Sequence, residues 1–157
     1  MSRRVVASTR TFSLIVYSVI LFMTIIFLIL KFKFVISDGN SMSPTINESD
    51  LIFCSTDFIY DNDYKIGDIV VAELTSDVRL VKRIAAMAGD TLIILDGSLY
   101  VNDKKVSSGF KEDYPQIVIP EGKVFLIGDN LNRSIDSRDS SIGLVDLEDE
   151  VKYKVIV

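Results

Sequence analysis

The sequence predicts a mainly β protein in which a single N-terminal transmembrane helix is followed by one compact antiparallel β domain. An almost unbroken apolar run occupies residues 12–30. After residue 33, short runs of valine, isoleucine, leucine and tyrosine alternate with glycine, aspartate and asparagine turn signals, a pattern typical of many short antiparallel strands. The length of 157 residues suits one domain with one anchor.

The apolar run at 12–30 is long enough to cross a bilayer. At ~1.5 Å per helical residue it covers the ~30 Å hydrocarbon core. A cleaved signal peptide would have a shorter apolar region of ~7–15 residues that ends in small residues. Here the sequence Lys-Phe-Lys-Phe follows at 31–34. Since a buried core helix is seldom apolar on every face, a permanent anchor is favoured.

Basic residues on both sides of the anchor bear on its orientation. Three arginines precede it, and they favour a cytoplasmic location for residues 1–11. Residues 31–157 would then form an extracytoplasmic domain at the cell membrane. Lys31 and Lys33 nearly balance the arginines, which leaves the opposite orientation open.

The apolar runs after the anchor predict seven strands, at 69–74, 78–84, 91–95, 99–101, 117–119, 124–127 and 151–157. Residues 48–60 show no regular pattern, and the polar residues 107–115 are expected to form a surface loop. One helical turn is expected near 147–151. Residues 32–36 admit two interpretations, either apolar side chains in the membrane interface or the first strand of the core.

The composition excludes several classes of protein. The chain has no histidine, so a Ser-His-Asp triad, a Cys-His dyad and the common zinc sites are ruled out. Cys54 is the one cysteine, so no internal disulfide forms, and no metal site or cofactor is predicted. The net charge of −5 argues against a nucleic-acid partner. A hydrolase of this composition must use lysine, tyrosine or a carboxylate as its base.

The first segment with chemical potential surrounds Ser41. Gly39 precedes this serine and Pro44 follows it, which describes a constrained turn. Such a turn can hold a hydroxyl out from the backbone and aim nearby N–H groups at a common point. An ordinary Ser/Pro turn that leads into a strand is the alternative.

The second segment places Lys82 inside an apolar strand. On a strand, Leu80, Lys82 and Ile84 share one face, so apolar neighbours flank the lysine. Burial disfavours the ammonium form and lowers the pKa of a lysine from about 10.4, which allows it to act as a general base. A lysine that extends from an edge strand into solvent is the alternative.

The third segment, residues 128–138, is dense in polar side chains. Asp136 and Arg138 are spaced to pair and hold the loop, while a hydroxyl from Ser134 or Ser137 can point inward. A solvated, turn-rich loop is the alternative.

In combination, these segments resemble the type I signal peptidase family (peptidase family S26) from the anchor through Gly143. The segments that carry the resemblance are Ser41-Met42-x-Pro44-Thr45, Gly67-Asp68-Ile69-Val70-Val71, Lys82-Arg83 with Gly89-Asp90, Gly128-Asp129-Asn130 and Ser134-x-Asp136-Ser137-Arg138. The resemblance implies the β fold that signal peptidases share with the SOS-repressor proteases. The short stretch between Lys82 and Ser134 is similar to the minimal form of Gram-positive bacteria.

The resemblance implies a serine endopeptidase with a Ser/Lys dyad. It would remove N-terminal signal peptides from exported proteins, after small residues at Ala-x-Ala-like sites near the membrane surface. Ser41 would be the nucleophile that forms an acyl-enzyme, and Lys82 would be the general base. The implied partners are the signal peptides of exported preproteins and the lipid bilayer, and an association with the secretion machinery stays open.

Other positions would support the dyad. Ser134 would orient the lysine amine, and Asp136 and Arg138 would hold the third segment in place. The oxyanion hole would use the Ser41 N–H with a second donor near Gly39, where some relatives carry a serine hydroxyl. Apolar residues near the dyad would form shallow pockets for small side chains, namely Ile36, Met42, Ile46, Leu80 and Val81.

Two features depart from the family pattern without removing a reacting group. Ala86 and Ala88 stand where glycine and proline are often seen, and Ile46 stands where leucine is usual.

Two rival functions remain. One is a non-catalytic relative that assists pilus or surface-protein assembly, against which the presence of Ser41 and Lys82 argues; a dedicated-client peptidase would keep both residues and stays open. The other is a self-cleaving SOS-type regulator, against which the anchor and the acidic charge argue.

Overall fold

A computed structural model describes residues 2–56, 64–75 and 78–156 of the chain. In these ranges there is one helix, α1 (Ser2–Lys31), and strand β1 (Phe32–Ile36) follows it directly. The other strands are β2 (Leu51–Thr56), β3 (Ile69–Thr75), β4 (Val78–Met87), β5 (Thr91–Leu95), β6 (Ser98–Val101), β7 (Lys104–Ser108), β8 (Tyr114–Val118), β9 (Lys123–Ile127), β10 (Val145–Asp146) and β11 (Val151–Val155).

Helix α1 contains a 20-residue stretch, Phe12–Lys31, that is long and apolar enough to cross a membrane. The apolar window within this stretch is not buried in the protein, whereas Lys31 at its end is only 7% exposed. The stretch contains no glycine or proline, and Lys31 lies in the last turn, where a cation suits the helix dipole. The structure therefore confirms one apolar N-terminal helix.

Seven antiparallel strands form the larger sheet, in the order β1-β2-β11-β3-β4-β9-β10. Strand β4 lies inside this sheet, between β3 and β9. Val70 of β3 is the register partner of Lys82, so the lysine stands on an internal strand and not at an edge. On the β9 side the pairing begins at the next residue, Arg83 opposite Ile127, so Lys82 lies where the third polar segment leaves the end of β9.

The smaller sheet has the order β7-β6-β5-β8. Asp96 and Gly97 join β5 to β6, and both have positive φ (49° and 70°), as a tight hairpin turn requires. One hydrophobic cluster connects the two sheets. It includes Ala85 of β4, Leu92 of β5 and Phe125 of β9. The mainly antiparallel β fold predicted from the sequence is confirmed.

Most predicted strands are present within a few residues of their expected positions. The prediction at 117–119 coincides with the end of β8, and the prediction at 151–157 ends at Val155, with residue 157 outside the described ranges. The expected helical turn is present, since the amide of Glu150 donates to the carbonyl of Asp146 at 3.1 Å. Residues 32–36 form a strand, although Phe34 and Ile36 in it are exposed.

Two local predictions were wrong. Residues 48–60 were expected to be irregular, but β2 occupies Leu51–Thr56, with Ile52 and Cys54 buried on alternate positions; residues 57–60 lie outside the described ranges. A loop was predicted at 107–115, but only residues 109–113 form one, because β7 extends to Ser108 and β8 begins at Tyr114. Both are edge strands of the smaller sheet with mostly exposed side chains, so their sequences lack the apolar alternation that marks a strand.

Candidate active site

Ser41 lies in the turn between β1 and β2, and this turn is held from two sides. Met42 and Ile46 are buried in the core with 2% and 7% exposure, and the Ile46 amide donates to the Met42 carbonyl at 3.0 Å. The backbone amide of Asn130 donates to the Ser41 carbonyl at 2.9 Å. The Asn130 side-chain amide donates to the Asn40 carbonyl at 3.0 Å. The position of the serine is therefore fixed by the core and by the third polar segment together.

Lys82 meets Ser41 at hydrogen-bonding distance. Its side-chain nitrogen, Nζ, lies 2.7 Å from Ser41 Oγ and donates to the Val81 carbonyl at 3.1 Å. The residue is only 3% exposed. Burial lowers the pKa of Lys82, and the negative charge of Asp136 opposes that shift in part. A lysine with a lowered pKa within ~2.6–3.2 Å of a hydroxyl is placed to accept its proton.

The backbone around Ser41 offers a donor for a developing oxyanion. The Ser41 amide donates a hydrogen bond to no other residue in the described ranges. Gly39, two residues earlier, has a φ of 85°, a backbone conformation that favours glycine. The predicted donor positions are therefore next to the hydroxyl, and their use in catalysis stays a prediction.

Asp136 is the most buried charged side chain of the third segment. Its residue exposure is 1%, and it accepts hydrogen bonds from Arg138 Nε at 2.7 Å and Arg138 Nη2 at 2.9 Å. The Gly128 amide donates to it at 2.9 Å. Burial alone would raise the pKa of Asp136, but the hydrogen bonds from Arg138, Ser134 and Gly128 together hold it below its ordinary value. The pairing expected from the spacing of Asp136 and Arg138 is thus present.

Ser134 Oγ is fully buried and has no hydrogen-bond partner of normal geometry among the described residues. It lies near enough to the Asp136 carboxylate to lower the pKa of that group. Lys82 Nζ bonds to Ser41 and to Val81, and no hydrogen bond joins it to Ser134. The proposed orienting role of Ser134 therefore stays a prediction. The neighbouring Ser137 has a structural task, because its hydroxyl accepts from the Leu126 amide at 2.9 Å.

Gly128 is where the third segment packs most closely on the dyad. A Cβ at this position would overlap Ser134 Oγ and would lie 2.5 Å from the Ser41 carbonyl oxygen. The Ser41 carbonyl oxygen belongs to a turn that is hydrogen-bonded and packed in place, so it cannot shift without moving Ser41 itself. The absence of a side chain at Gly128 is therefore a requirement of the site.

We expect Gly128→Ala to lower kcat by up to about 100-fold, because a displacement of about 1 Å at a reacting group has that order of effect. Steady-state peptide cleavage measures the loss. The control is Gly143→Ala, where an added Cβ meets nothing within 4 Å, so that this variant reports the strain of an alanine at a φ of +61° without any contact with the dyad. Full activity in Gly128→Ala would show that the turn accommodates the methyl group without moving Ser41.

A second ion pair, not singled out in the sequence, ties the segments together. Arg83 donates to Asp129 through Nε at 2.8 Å and through Nη2 at 2.6 Å. Thr45 Oγ1 donates to the same carboxylate at 2.5 Å. We call this the Arg83–Asp129–Thr45 bridge. It joins the base strand, the third segment and the nucleophile turn, and the opposite strand faces of Lys82 and Arg83 were the available signal for it.

The five predicted pocket residues differ in exposure. Met42 and Ile46 belong to the hydrophobic core, and Val81 packs against the same cluster. Leu80 is half-buried, while Ile36 is 70% exposed. Ile36 is therefore open to solvent, whereas Met42 and Ile46 are covered by the protein. The pocket role of all five stays a prediction.

A cavity of about 280 Å³ is lined in part by Ser134, Asp136 and Arg138. Its other walls carry charged residues, among them Lys111 and Asp139, and neither dyad residue lines it. A polar cavity of this kind does not match the small apolar pocket expected beside Ser41. The five apolar residues named from the sequence therefore remain the candidate substrate surface.

Comparison with known proteins identifies the class and then the family. An amine base at hydrogen-bonding distance from a serine hydroxyl, on an antiparallel β scaffold, has the arrangement of a nucleophile–base pair. A family model described as signal peptidase, peptidase S26, matches residues 8–155. The chain therefore belongs to the signal peptidase family, which consists of serine endopeptidases.

Individual relatives support this membership. Signal peptidase I of Bacillus licheniformis is 37% identical over 125 residues, covering 69% of this chain and 67% of the relative. Signal peptidase I of Bacillus amyloliquefaciens is 34% identical over 117 residues, covering 65% and 63%. Signal peptidase I U of Bacillus subtilis strain 168 is 31% identical over 144 residues, covering 81% and 77%.

A solved structure supports the fold. The crystal structure of a signal peptidase I from Enterococcus faecalis V583 matches with a TM-score of 0.51 and 24% identity. The match covers 60% of this chain and 97% of that chain. The resemblance inferred from the motifs is thus confirmed at the level of family and fold.

Proposed function

We propose that this protein removes N-terminal signal peptides from exported proteins, with Ser41 as nucleophile and Lys82 as general base. One observation carries the proposal. The buried Lys82 Nζ lies 2.7 Å from Ser41 Oγ, in a chain without histidine that belongs to the signal peptidase family. The burial that lowers the pKa of Lys82 favours the neutral amine that a base requires.

The reaction would proceed in two halves. Lys82 accepts the hydroxyl proton while Ser41 Oγ attacks the scissile carbonyl, and the Ser41 N–H stabilises the oxyanion of the tetrahedral intermediate. The proton then passes from Lys82 to the leaving amine, which departs as the N-terminus of the mature protein. Lys82 next takes a proton from a water molecule that attacks the acyl carbon. The ester bond to Ser41 Oγ then breaks, Lys82 returns the proton to Oγ, and the signal peptide leaves with a free carboxylate.

The surrounding polar groups would support this cycle. Ser134 would keep the amine of Lys82 directed at Ser41, and a donor near Gly39 would complete the oxyanion hole. Asp136 and Arg138 would hold the third segment against the dyad through their buried ion pair.

The substrate surface would accept small side chains before the cut. Ile36, Leu80 and Val81 offer apolar surface near the dyad, with Met42 and Ile46 behind them. Shallow apolar pockets admit alanine and exclude bulky residues, which supports cleavage at Ala-x-Ala-like sites.

The location would be the cell membrane, with α1 as a single-pass anchor. Residues 1–11 would then be cytoplasmic and residues 31–157 extracytoplasmic, where signal peptides emerge from the secretion machinery. The apolar stretch Phe12–Lys31 supports the anchor, and the three arginines before it support the orientation.

The test is cleavage of one preprotein and its matched variant by the full-length protein in lipid vesicles. The parent carries alanine at the third and first positions before the cut, and the variant carries phenylalanine at the first. We expect a single cut in the parent, located by mass spectrometry, and none in the variant. A folded preparation that cuts no Ala-x-Ala preprotein would contradict general signal peptide processing and favour the dedicated-client or non-catalytic alternative.

A further inference from the structure

The membrane helix and the catalytic domain meet without a linker. Helix α1 ends at Lys31 and β1 begins at Phe32. Strand β1 is then paired to β2 along its whole length, from Phe32 opposite Ser55 to Ile36 opposite Leu51. The apolar stretch of α1 therefore passes straight into the larger sheet.

Thr56, at the end of β2, closes this junction. Its Oγ1 lies 3.0 Å from the carbonyl oxygen of Leu30 and 3.2 Å from that of Lys31, and donates to them. The last carbonyls of a helix have no partner within the helix, so a side-chain donor satisfies them and fixes the helix end. Thr56 is itself held in the sheet, because Tyr153 of β11 is its register partner. Its hydroxyl therefore connects the end of the helix to the interior of the sheet.

Other contacts at the junction support the same rigidity. The rings of Phe32 and Phe53 stack with centroids 4.9 Å apart. Lys31 is only 7% exposed, and its Nζ lies 5.5 Å from the centroid of the Phe27 ring. Aromatic stacking and a cation over a ring both favour one side-chain arrangement over others. The ring pair lies in the sheet and the cation–ring pair lies in the helix, so these contacts order the two sides of the junction, and the low exposure of Lys31 shows that the helix end itself is covered.

The path from the junction to Ser41 is also fixed. After β1, the Ser37 amide donates to the Asp50 carbonyl at 2.9 Å, and the Ser49 amide donates to the Ser37 carbonyl at 2.9 Å. Between Lys31 and Ser41 there are ten peptide steps, which span at most about 33–36 Å even when extended. Ser41 is therefore held by a short, paired path from the end of the membrane helix.

We propose that Thr56 is a positioning residue whose hydroxyl locks the catalytic domain to its membrane helix, so that Ser41 stands at a set height above the bilayer. This inference rests on the proposed role of Ser41 as nucleophile. A preprotein held in the same bilayer presents its scissile bond at a height that its own apolar segment determines. The lock then selects bonds at the matching height, whereas a soluble peptide diffuses to the site at any height.

The test compares two substrates with the same cleavage sequence, a preprotein inserted in lipid vesicles and a soluble peptide. The enzyme variants are Thr56→Val, which keeps the shape but removes the donor, and Thr56→Ser, which retains the hydroxyl. We expect Thr56→Val to lower kcat/KM for the inserted preprotein by about fivefold, the effect of one net hydrogen bond, with peptide cleavage unchanged. Thr56→Ser should behave as the wild type.

A second variant acts on the junction without touching Thr56. Insertion of Gly-Ser-Gly-Ser between Lys31 and Phe32 introduces a flexible linker. We expect it to lower cleavage of the inserted preprotein more than Thr56→Val does and to add cuts at neighbouring positions, with peptide cleavage unchanged. Wild-type ratios between the two substrates in both Thr56→Val and the insertion variant would overturn the proposal.

Spin labels test the lock independently of catalysis. Cysteines replace Phe22 in the helix and Val118 in the smaller sheet, both 62% exposed, while the native Cys54 is fully buried. We expect a narrow distance distribution in the wild type and a broader one in Thr56→Val and the insertion variant. If the wild type cleaves neither substrate, the proposed function fails, and the label distances still decide whether the junction is rigid. A broad wild-type distribution would overturn the lock even if cleavage is normal.

Discussion

Replacement of Ser41 by alanine or of Lys82 by methionine is expected to lower kcat/KM for an Ala-x-Ala preprotein by about 10⁴-fold or more, the order found when a member of a catalytic serine unit is removed. Either change breaks the 2.7 Å contact between Nζ and Oγ. Because the two groups act as a unit, the double variant should be no slower than the slower single variant. Preprotein cleavage followed by gel and mass spectrometry measures the losses.

Matched controls are available for both changes. Ser43 lies two residues after Ser41 in the same turn, and its hydroxyl donates to the side chain of Asn47. Lys105 is exposed on β7, in the smaller sheet. Ser43→Ala and Lys105→Met should keep most of the activity. Cleavage that survives in both Ser41→Ala and Lys82→Met would rule out the dyad.

The pH dependence of the wild type should follow from the state of Lys82. The neutral amine is the active base, so activity rises with pH as Lys82 loses its proton. Burial lowers the pKa of this group, so the rise should be centred below the ordinary lysine value of 10.5. A rise centred at or above that value would mean that Lys82 is not desolvated in the working enzyme.

Loss of the buried carboxylate at Asp136 is expected to be the most destabilising single change in the third segment. Asp136→Ala leaves the Arg138 guanidinium, whose side chain is only 21% exposed, without its partner, and it also leaves the Gly128 amide without its acceptor. Breaking a buried ion pair costs about 3–5 kcal/mol. Denaturant unfolding of the full chain in detergent, followed by circular dichroism, measures the loss in the free energy of unfolding.

The control for Asp136→Ala is an ion pair at the surface. Glu73 pairs with Arg79 at 2.8 Å, and the Arg79 side chain is 57% exposed. Glu73→Ala should cost no more than about 1 kcal/mol of the free energy of unfolding. Equal losses in the two variants would show that the burial of Asp136 confers no extra stability.

The stability that Asp136 contributes should also depend on pH. Because the pKa of Asp136 is lowered in the folded protein, this contribution is complete above the ordinary aspartate pKa and is lost as the pH falls through the lowered pKa.

The sequence was sufficient to predict the elements that depend on residues close to one another along the chain. The anchor follows from an apolar run, and strands such as β5 and β9 follow from short apolar runs between turn residues. The apolar neighbours of Lys82 on the same strand face indicated a buried lysine, and the choice against a solvent-exposed edge position came from the sheet order. The family follows from motif segments in a fixed order.

What the sequence did not provide depends on contacts between distant segments. Strand β7 was missed because its sequence is polar and its pairing with β6 makes it a strand. Strand β2 was missed although Leu51–Cys54 is apolar, because this short run was not distinguished from the irregular residues around it. The Arg83–Asp129–Thr45 bridge joins residues up to 84 positions apart, and the strand position of Arg83 did not indicate which distant carboxylate it would meet. The clash that a side chain at Gly128 would cause is likewise visible only when the third segment is folded against Ser41.

The residues of the site lie far apart in the sequence, and this affects when the protein becomes active during its synthesis. Ser41 meets Lys82 across 41 positions, and the turn that carries Ser41 is held by Asn130 and, through Thr45, by Asp129. A chain under synthesis therefore has its nucleophile long before it has the groups that fix it in place. The protease is expected to be inactive during synthesis and to become active only when its last third has emerged from the ribosome and folded. This order protects the nascent chain and its neighbours from premature cleavage.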